Sequence, residues 1–380
     1  MKVAVLGYGT VGKGVYDMLR TCPLFEAGPV LVRPGKEDEP FKVSSIEAIV
    51  ADKSVDAVAE VMGGVEPAFF YCAAALKAGK HVVTSNKALV AAKGIELNAL
   101  ARENGVGFLF SAACGGAVPF LHNLELARQS DEILSLGGIL NGTTNFMLDK
   151  MQSEGMDYGE ALKEAQSLGY AEADPTADVT GLDALRKIML GCAVAYDMLP
   201  TDGLLNEGID SLKASDVRHF RSKGLTCRLL ARGGIADGKL YAYVQPVLVE
   251  SSAPECAVRQ NFNMAKYTGK NSGQIVLMGQ GAGRYPTASA VIRDLECLRF
   301  GQREMMHGEC AEVSADNAGC VCSYYVRLPI QFADKLEFGS TEADGGIIRG
   351  VTKPMSVKAM HESVRAMRKG GADVFFAELA

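Results

Sequence analysis

Met1-Lys-Val-Ala-Val-Leu-Gly7-Tyr-Gly9-Thr-Val-Gly12-Lys-Gly-Val-Tyr-Asp-Met-Leu-Arg20 opens the chain, and its reading decides the fold. Lys2–Leu6 is a short apolar run that reads as a strand, and Val11–Arg20 has the pattern of a helix. Between them stands G-x-G-x-x-G. Gly7 permits the tight turn, Gly9 lets a pyrophosphate approach the backbone, and Gly12 lets helix and strand pack closely. The first N–H groups of the helix, at Thr10, Val11 and Gly12, have no partners within it and point at the same place. Strand, glycine turn and helix in this order predict a dinucleotide site.

The pattern repeats outward from there. A second strand, Pro29–Arg33, ends in Arg33, with Lys36 three residues on. A carboxylate at that end reads the ribose 2′-hydroxyl of NAD. Two cations and no acid suit a 2′-phosphate, so NADP is expected, with NAD possible. Val55–Met62 reads as a strand ending in Gly63-Gly64. Pro67–Ala78 reads as a helix, His81–Thr84 as a strand leading to Ser85-Asn86-Lys87, Ile95–Glu103 as a helix and Gly107–Phe110 as a strand. Strands alternating with helices predict a parallel, doubly wound sheet. Ligands bind beyond the carboxyl ends of such strands, which puts Gly63, Gly64, Ser85, Asn86 and Lys87 on the cofactor side.

Composition narrows the class. The chain has 380 residues, nearly half of them hydrophobic, and a formal net charge of −6. That charge argues against a nucleic-acid or anionic-membrane partner. No apolar run approaches the ~20 residues that span a bilayer. The 10 cysteines are spread without any C-x-x-C, which points to small core residues in a reducing compartment. A strand beginning at Lys2 leaves no room for a leader, so a cytoplasmic protein is expected.

Ala165–Lys187 carries the chemistry: A-Q-S-L-G-Y-A-E-A-D-P-T-A-D-V-T-G-L-D-A-L-R-K. Glu172, Asp174, Asp178, Asp183 and Lys187 fall in a turn followed by a helix. Asp183 and Lys187 are four residues apart and share a helix face. A solvated i, i+4 pair of this kind is common and is worth only ~0.3–0.5 kcal/mol. Over a pocket, the same pair binds a zwitterion and moves a proton. Leu182, Leu185, Met189 and Cys192 lie on roughly the opposite side of the helix.

This segment is similar at each fixed position to the signature of the homoserine dehydrogenase family. Supporting blocks are Gly7–Gly12, Thr84–Lys87, Ser111–Pro119, Asn141–Asn145 and Gly281–Ser289, so the resemblance runs in order over about residues 1–300. It implies NAD(P)-dependent interconversion of L-homoserine and L-aspartate 4-semialdehyde in the biosynthesis of threonine, methionine and isoleucine. By the same resemblance, Lys187 moves the hydroxyl proton and Lys87 is a second lysine between nicotinamide and substrate. Glu172 holds the substrate ammonium group, Asp183 orients Lys187, and Asp178 is a further carboxylate of the cluster. The polar loop Asn141-Gly-Thr143-Thr-Asn145 offers donors, Thr143 among them, to a substrate carboxylate.

Many members of the family read E-A-x-V-x-G-G-[IL]-P in a loop that cradles a sodium ion. Here the segment is Ser111-Ala-Ala-Cys114-Gly-Gly116-Ala-Val118-Pro119, so Ser111 replaces the acid. The carbonyls of Cys114, Gly116 and Val118 remain as ligands, and a site without a carboxylate is expected to be weak. Two other readings compete. Cys114 is a candidate nucleophile with His122 as its base, and a non-catalytic NADPH-binding regulator would keep the glycines but has no use for Lys87 with Lys187.

The expected architecture is α/β: a Rossmann-type doubly wound sheet, an α+β substrate and dimerisation domain, and a short ACT-like carboxyl-terminal region. The expected boundaries are 1–125 (completed by part of 287–310), 126–310 and 311–380. Strands are expected at Ser135–Leu140, Thr226–Arg232, Leu240–Leu248 and Ser272–Met278. They predict a mostly antiparallel second sheet, the homodimer interface of the family. Beyond 310, strands at Ser323–Ile330, Gly346–Val351 and Ala372–Glu378 with a helix at Ser356–Arg368 look like an effector module with elements missing, or a structural cap.

Overall fold

A computed structural model describes residues 1–380 as two compact units. The first comprises Met1–Glu132, Leu190–Leu199 and Gly279–Ala311, and the second Ile133–Met189, Pro200–Met278 and Glu312–Ala380.

The first unit alternates as its periodicity predicts: β1 (Lys2–Leu6), α1 (Thr10–Thr21), β2 (Glu26–Leu31), β3 (Lys42–Val43), α2 (Ile46–Ala51), β4 (Ala57–Glu60), α3 (Ala68–Lys77), β5 (His81–Thr84), α4 (Lys87–Glu103), β6 (Phe108–Leu109) and α5 (Phe120–Arg128). The six strands form a sheet in the order β3-β2-β1-β4-β5-β6. Every pair is parallel, with Val3 opposite both Ala27 and Ala57. Because both faces are covered by helices, the strands read as unbroken apolar runs. Val3–Leu6, Ala57–Ala59 and Val82–Val83 are all fully buried.

Two departures from the sequence reading have local causes. The helix expected at Ile95 begins eight residues earlier, at Lys87, because the chain passes through Gly94 without breaking; that glycine is buried, 3.0 Å in Cβ terms from Val90. The second strand ends at Leu31 rather than Arg33, so Arg33 and Lys36 lie exposed in the segment just beyond it.

The second unit begins with β7 (Ile133–Ile139), α6 (Gly142–Glu154), α7 (Tyr158–Ser167), α8 (Thr176–Val179) and the opening turns of α9 (Leu182–Tyr196), whose residues from Leu190 on count with the first unit. It continues with β8 (Met198–Asp202), β9 (Leu205–Asn206), α10 (Ala214–Ser222), β10 (Leu225–Ala236), β11 (Lys239–Glu250), β12 (Phe262–Gly269) and β13 (Gly273–Gln280). Next comes α11 (Arg284–Arg299), which packs along α1 within the first unit, with Arg284 paired to Asp17 at 2.6 Å. Gly14 of α1 allows this approach, since a Cβ there would lie 3.2 Å from that of Ala288.

The tail holds β14 (Ala311–Ser314), β15 (Val321–Cys322), β16 (Tyr324–Pro329), β17 (Phe338–Asp344), β18 (Ile347–Thr352), β19 (Met355–Ser356), α12 (Val357–Lys369) and β20 (Phe375–Leu379). A 3₁₀ turn, Ile330–Lys335, joins β16 to β17. The tail has a 3₁₀ turn where an effector module has its first helix, and one strand more than expected: β16, the turn, β17, β18, the short β19, α12 and β20 follow in sequence, and β20-β16-β18-β17 pair antiparallel in that order. The strand that sequence reading overlooked, β17, is an edge strand exposed along nearly its whole length, so it lacks the alternation by which strands are recognised.

The tail is continuous with the rest of the unit. One ten-stranded sheet runs β13-β12-β7-β10-β11-β20-β16-β18-β17, with β9 beside β11. The join is β11 with β20, parallel, Val247 opposite Glu378. A buried polar network crosses it. Gln245 Nε2 donates to Glu378 Oε2 at 2.7 Å, Arg232 pairs with Glu378 at 2.7 Å, and His361 Nε2 of α12 donates to Gln245 Oε1 at 3.0 Å. Around it lies an apolar core of Tyr324, Val326, Leu328, Met360, Val364 and Phe376.

His361 is buried, which pushes its pKa down to about 4, and Arg365 and Arg368 add repulsion. A histidine held neutral in the fold stabilises it above the ordinary value near ~6.5. As pH falls from there toward 4, the unfolded chain takes up a proton that the folded chain refuses. Stability is lost over that window, by on the order of 3 kcal/mol. Urea unfolding at pH 7 and pH 4.5 should therefore show a smaller acid loss for His361→Gln than for the parent chain; parallel losses would count against this account.

Candidate active site

The site in the second unit is built where β7 ends and α6 begins. Asn141 caps α6, its Oδ1 accepting from Thr144 N at 2.8 Å. With Oδ1 so oriented, the amide nitrogen points the other way and donates to Asp178 Oδ1 at 2.7 Å and to Asp183 Oδ2 at 2.9 Å. One amide thus holds two carboxylates together. Burial raises the pKa of Asp178, the Asn141 bond lowers it, and the neighbouring Asp183 raises it again.

Lys187 completes the cluster. Its Nζ lies 2.7 Å from Asp183 Oδ2 and donates to the Leu140 carbonyl at 2.5 Å, which also accepts from Asn263 Nδ2 at 3.0 Å. The pair is not a solvated surface pair: the Lys187 side chain is 8% exposed and that of Asp183 13%. Sequence reading placed these residues opposite an apolar stripe, yet this turn of α9 is enclosed almost all round, with Arg186 alone exposed between them. A buried ammonium group persists where a carboxylate and a carbonyl replace its hydration.

The α8 segment that supplies Asp178 is pinned by close backbone approach. Ile209 N donates to the Val179 carbonyl at 2.8 Å, and a Cβ at Gly208 would fall 2.0 Å from that oxygen. Thr143 Oγ1 donates to the Tyr170 carbonyl at 2.6 Å, which fastens the turn before Glu172. Glu172 itself is exposed and lies outside the bonded cluster.

In the first unit, the expected dinucleotide residues meet at the carboxyl edge of the parallel sheet. Gly7 adopts a φ of 99°, and its N–H donates to the Leu31 carbonyl at 3.1 Å, tying the turn to the end of β2. A Cβ on Gly12 would lie 2.1 Å from the Gly7 carbonyl, so only glycine fits. A Cβ on Gly9 would meet nothing, and α1 has no side-chain cap. Open space before uncapped N–H groups fits a pyrophosphate.

Glu60, at the end of β4, went unnoticed in the sequence. It is fully buried, its pKa raised by burial, and it accepts from Thr84 Oγ1 at 2.5 Å and Met62 N at 2.7 Å. Asn86 Nδ2 donates to the Gly64 carbonyl at 2.5 Å while Asn86 Oδ1 caps α4. The loops carrying Gly63, Gly64, Ser85 and Asn86 are thereby locked together, and Lys87 is the first residue of α4, half-buried beside them. The one available signal was a lone acid in the apolar run Val58–Val61.

Cys114 is fully buried, and His122, its supposed base, instead faces Cys297, with Nδ1 3.8 Å from Sγ.

Residues 119–295 match the homoserine dehydrogenase family, and residues 7–111 match the NAD-binding domain of homoserine dehydrogenase. The homoserine dehydrogenase of Bacillus subtilis is 39% identical over 80% of this chain and 74% of its own length. That of Corynebacterium glutamicum is 38% identical over 89% of this chain and 77% of its own length. The chain belongs to the homoserine dehydrogenase family.

Solved structures agree. A homoserine dehydrogenase from Thiobacillus denitrificans superposes with a TM-score of 0.87 at 29% identity, covering 100% of this chain and 98% of that one. A hyperthermophilic archaeal homoserine dehydrogenase in complex with NADPH gives 0.68 at 26% identity, covering 79% of this chain and 97% of that one. The enzyme is thus an NAD(P)-dependent oxidoreductase acting on a CH–OH group, interconverting L-homoserine and L-aspartate 4-semialdehyde in amino-acid biosynthesis. The regulator reading gives way to this finding. No helix is long and apolar enough to cross a membrane.

Asn141→Ser retains an oxygen to cap α6 and removes both amide donors, so fold stability should change by no more than about 1 kcal/mol. Without its donor Asp178 becomes harder to ionise. The acid limb of the pH–activity profile should move to higher pH; an unmoved limb would show that the amide bridge does not set the charge of the site.

Proposed function

We propose that Lys187 is the acid/base of the reaction, and the observation that carries this is its burial on Asp183 and the Leu140 carbonyl. In the reductive direction, the ammonium group that Asp183 stabilises gives its proton to the aldehyde oxygen as negative charge builds there. In the oxidative direction the amine takes the hydroxyl proton of homoserine, and Asp183 keeps it aimed. Lys87 is the second lysine of the reaction, on the nicotinamide side. Bound NAD(P) supplies or accepts the hydride.

Glu172 and Asp178 hold the substrate ammonium group, and Thr143 with the amino end of α6 holds its carboxylate. The exposed Glu172 carboxylate is available for that contact. Gly7, Gly9, Thr10, Val11 and Gly12 hold the pyrophosphate, and Gly63, Ser85, Asn86 and Lys87 hold the nicotinamide side.

NADP is the preferred cofactor. The support is the exposed pair Arg33 and Lys36 beyond β2, next to a glycine turn that is bonded to Leu31. The ten-stranded sheet of the second unit is the surface on which a second copy pairs to form a homodimer. Residues 1–125 with part of 287–310 serve the cofactor, 126–310 the substrate and the dimer, and 311–380 the effector or capping role. The enzyme works in the cytoplasm.

Lys187→Ala should cut turnover by roughly 10²–10⁴ while cofactor affinity, read by fluorescence titration, hardly moves. Turnover that survives would remove Lys187 from the chemistry. Arg33→Asp should shift the ratio of kcat/KM for NADP over NAD by at least ~10-fold toward NAD. An unchanged ratio would show that Arg33 does not read the 2′-phosphate.

A further inference from the structure

Ser111–Pro119 is the segment for which the family resemblance implies a sodium ion, and its surroundings do not fit one. Ser111 has no negative charge to offer, and its hydroxyl donates to the carboxylate of Asp294 on α11. Ala112 N donates to the other oxygen at 3.3 Å. The acid that sequence reading found missing from position 111 is therefore present from another helix. It is spent on the 3₁₀ turn Ser111–Ala113, and burial pushes its pKa up to about 6.

One of the expected carbonyls is engaged as well. That of Val118, one of the three expected ligands, accepts from Phe120 N at 2.8 Å. Ala117 N donates to the Gln280 carbonyl at 3.0 Å, and Gly116 is pressed so close to Gly281 that a Cβ would lie 2.6 Å from its carbonyl carbon. Between these contacts a positive charge is already in place. Arg293, one residue before Asp294, donates from Nη2 to the Ala117 carbonyl at 3.2 Å, and its Nη1 is enclosed without a hydrogen-bond partner. A metal ion held by the carbonyls of Gly116 and Val118, on either side of Ala117, would meet a guanidinium group that cannot lose its charge.

We infer that Arg293 is the resident cation of this loop, so that Arg293 and Asp294, neighbours on one helix, hold both ends of residues 111–119 and the enzyme needs no monovalent metal. Arg293 is a positioning residue here: it acts through the loop whose Ala117 carbonyl it holds.

The test uses the full enzyme exchanged into tetramethylammonium chloride and titrated with NaCl or KCl at constant ionic strength. The melting temperature is read first, because it does not depend on any assignment of catalytic residues. It should move by less than about 1 °C, and turnover by less than about twofold. A saturable, sodium-specific rise of more than about 3 °C, or of about fivefold in turnover, would overturn the inference.

Arg293→Gln should lower the melting temperature and make it respond to sodium or potassium, and Arg293→Lys should restore indifference to both. Arg293→Gln that behaves like the parent in melting temperature and cation response also overturns it. Should Arg293→Gln not fold, Arg293→Lys carries the same test, since a lysine variant that needs sodium to reach the parent's melting temperature would show that a fixed charge does not suffice.

Discussion

A lysine amine buried against a carboxylate and a backbone carbonyl is the constraint on which the second unit is arranged. An ammonium group removed from water needs its hydration replaced in full, or it gives up its proton. Lys187 finds Asp183 one helical turn away and Leu140 at the end of a strand. Around that pair, Asn141 bridges Asp178 and Asp183, and the Leu140 carbonyl at the end of β7 accepts from both Lys187 and Asn263. The arrangement also suits the chemistry of an alcohol–aldehyde couple, in which one proton must be held ready at one atom.

The first unit solves a different problem by similar means. Its sheet edge presents loops that must stay open to a ligand, and open loops lose chain entropy when they are ordered. Glu60 offsets that from below, as a buried carboxylate gathering donors from two loops. Asp294 does the same for residues 111–112. In both places a buried acid gathers donors to fix loops that the cofactor-binding fold leaves unsupported.

What was legible in the sequence follows from what each residue does. The alternation of strand and helix was clear because both faces of the parallel sheet are covered, so the apolar runs are unbroken. Gly7, Gly9 and Gly12 could be read because each glycine has a steric task. Asp183 and Lys187 stood out through their spacing, whereas their burial did not, since an i, i+4 pair looks the same on a surface. Asn141 was visible only as a polar loop residue. Glu60, Asp294 and Arg293 were hidden because each acts on backbone far away in sequence. The exposed strand β17 has no pattern to read, and the helix start at Lys87 was masked by Gly94.

The joining of β11 to β20 has a consequence for synthesis. Val247 pairs with Glu378, so the middle strand of the ten-stranded sheet waits for a partner made about 130 residues later. At about 5–20 residues per second, that wait is on the order of ten seconds. During it the edge of β11 is covered by β9 at Tyr243 and Val244 but open at Val247 and Leu248, and the buried Gln245 and half-buried Arg232 lack the carboxylate that will satisfy them. The nascent second unit therefore cannot reach its final state while the ribosome is still upstream of Glu378, and premature termination in this tail would release a chain with an open sheet edge, a natural substrate for chaperones and proteases.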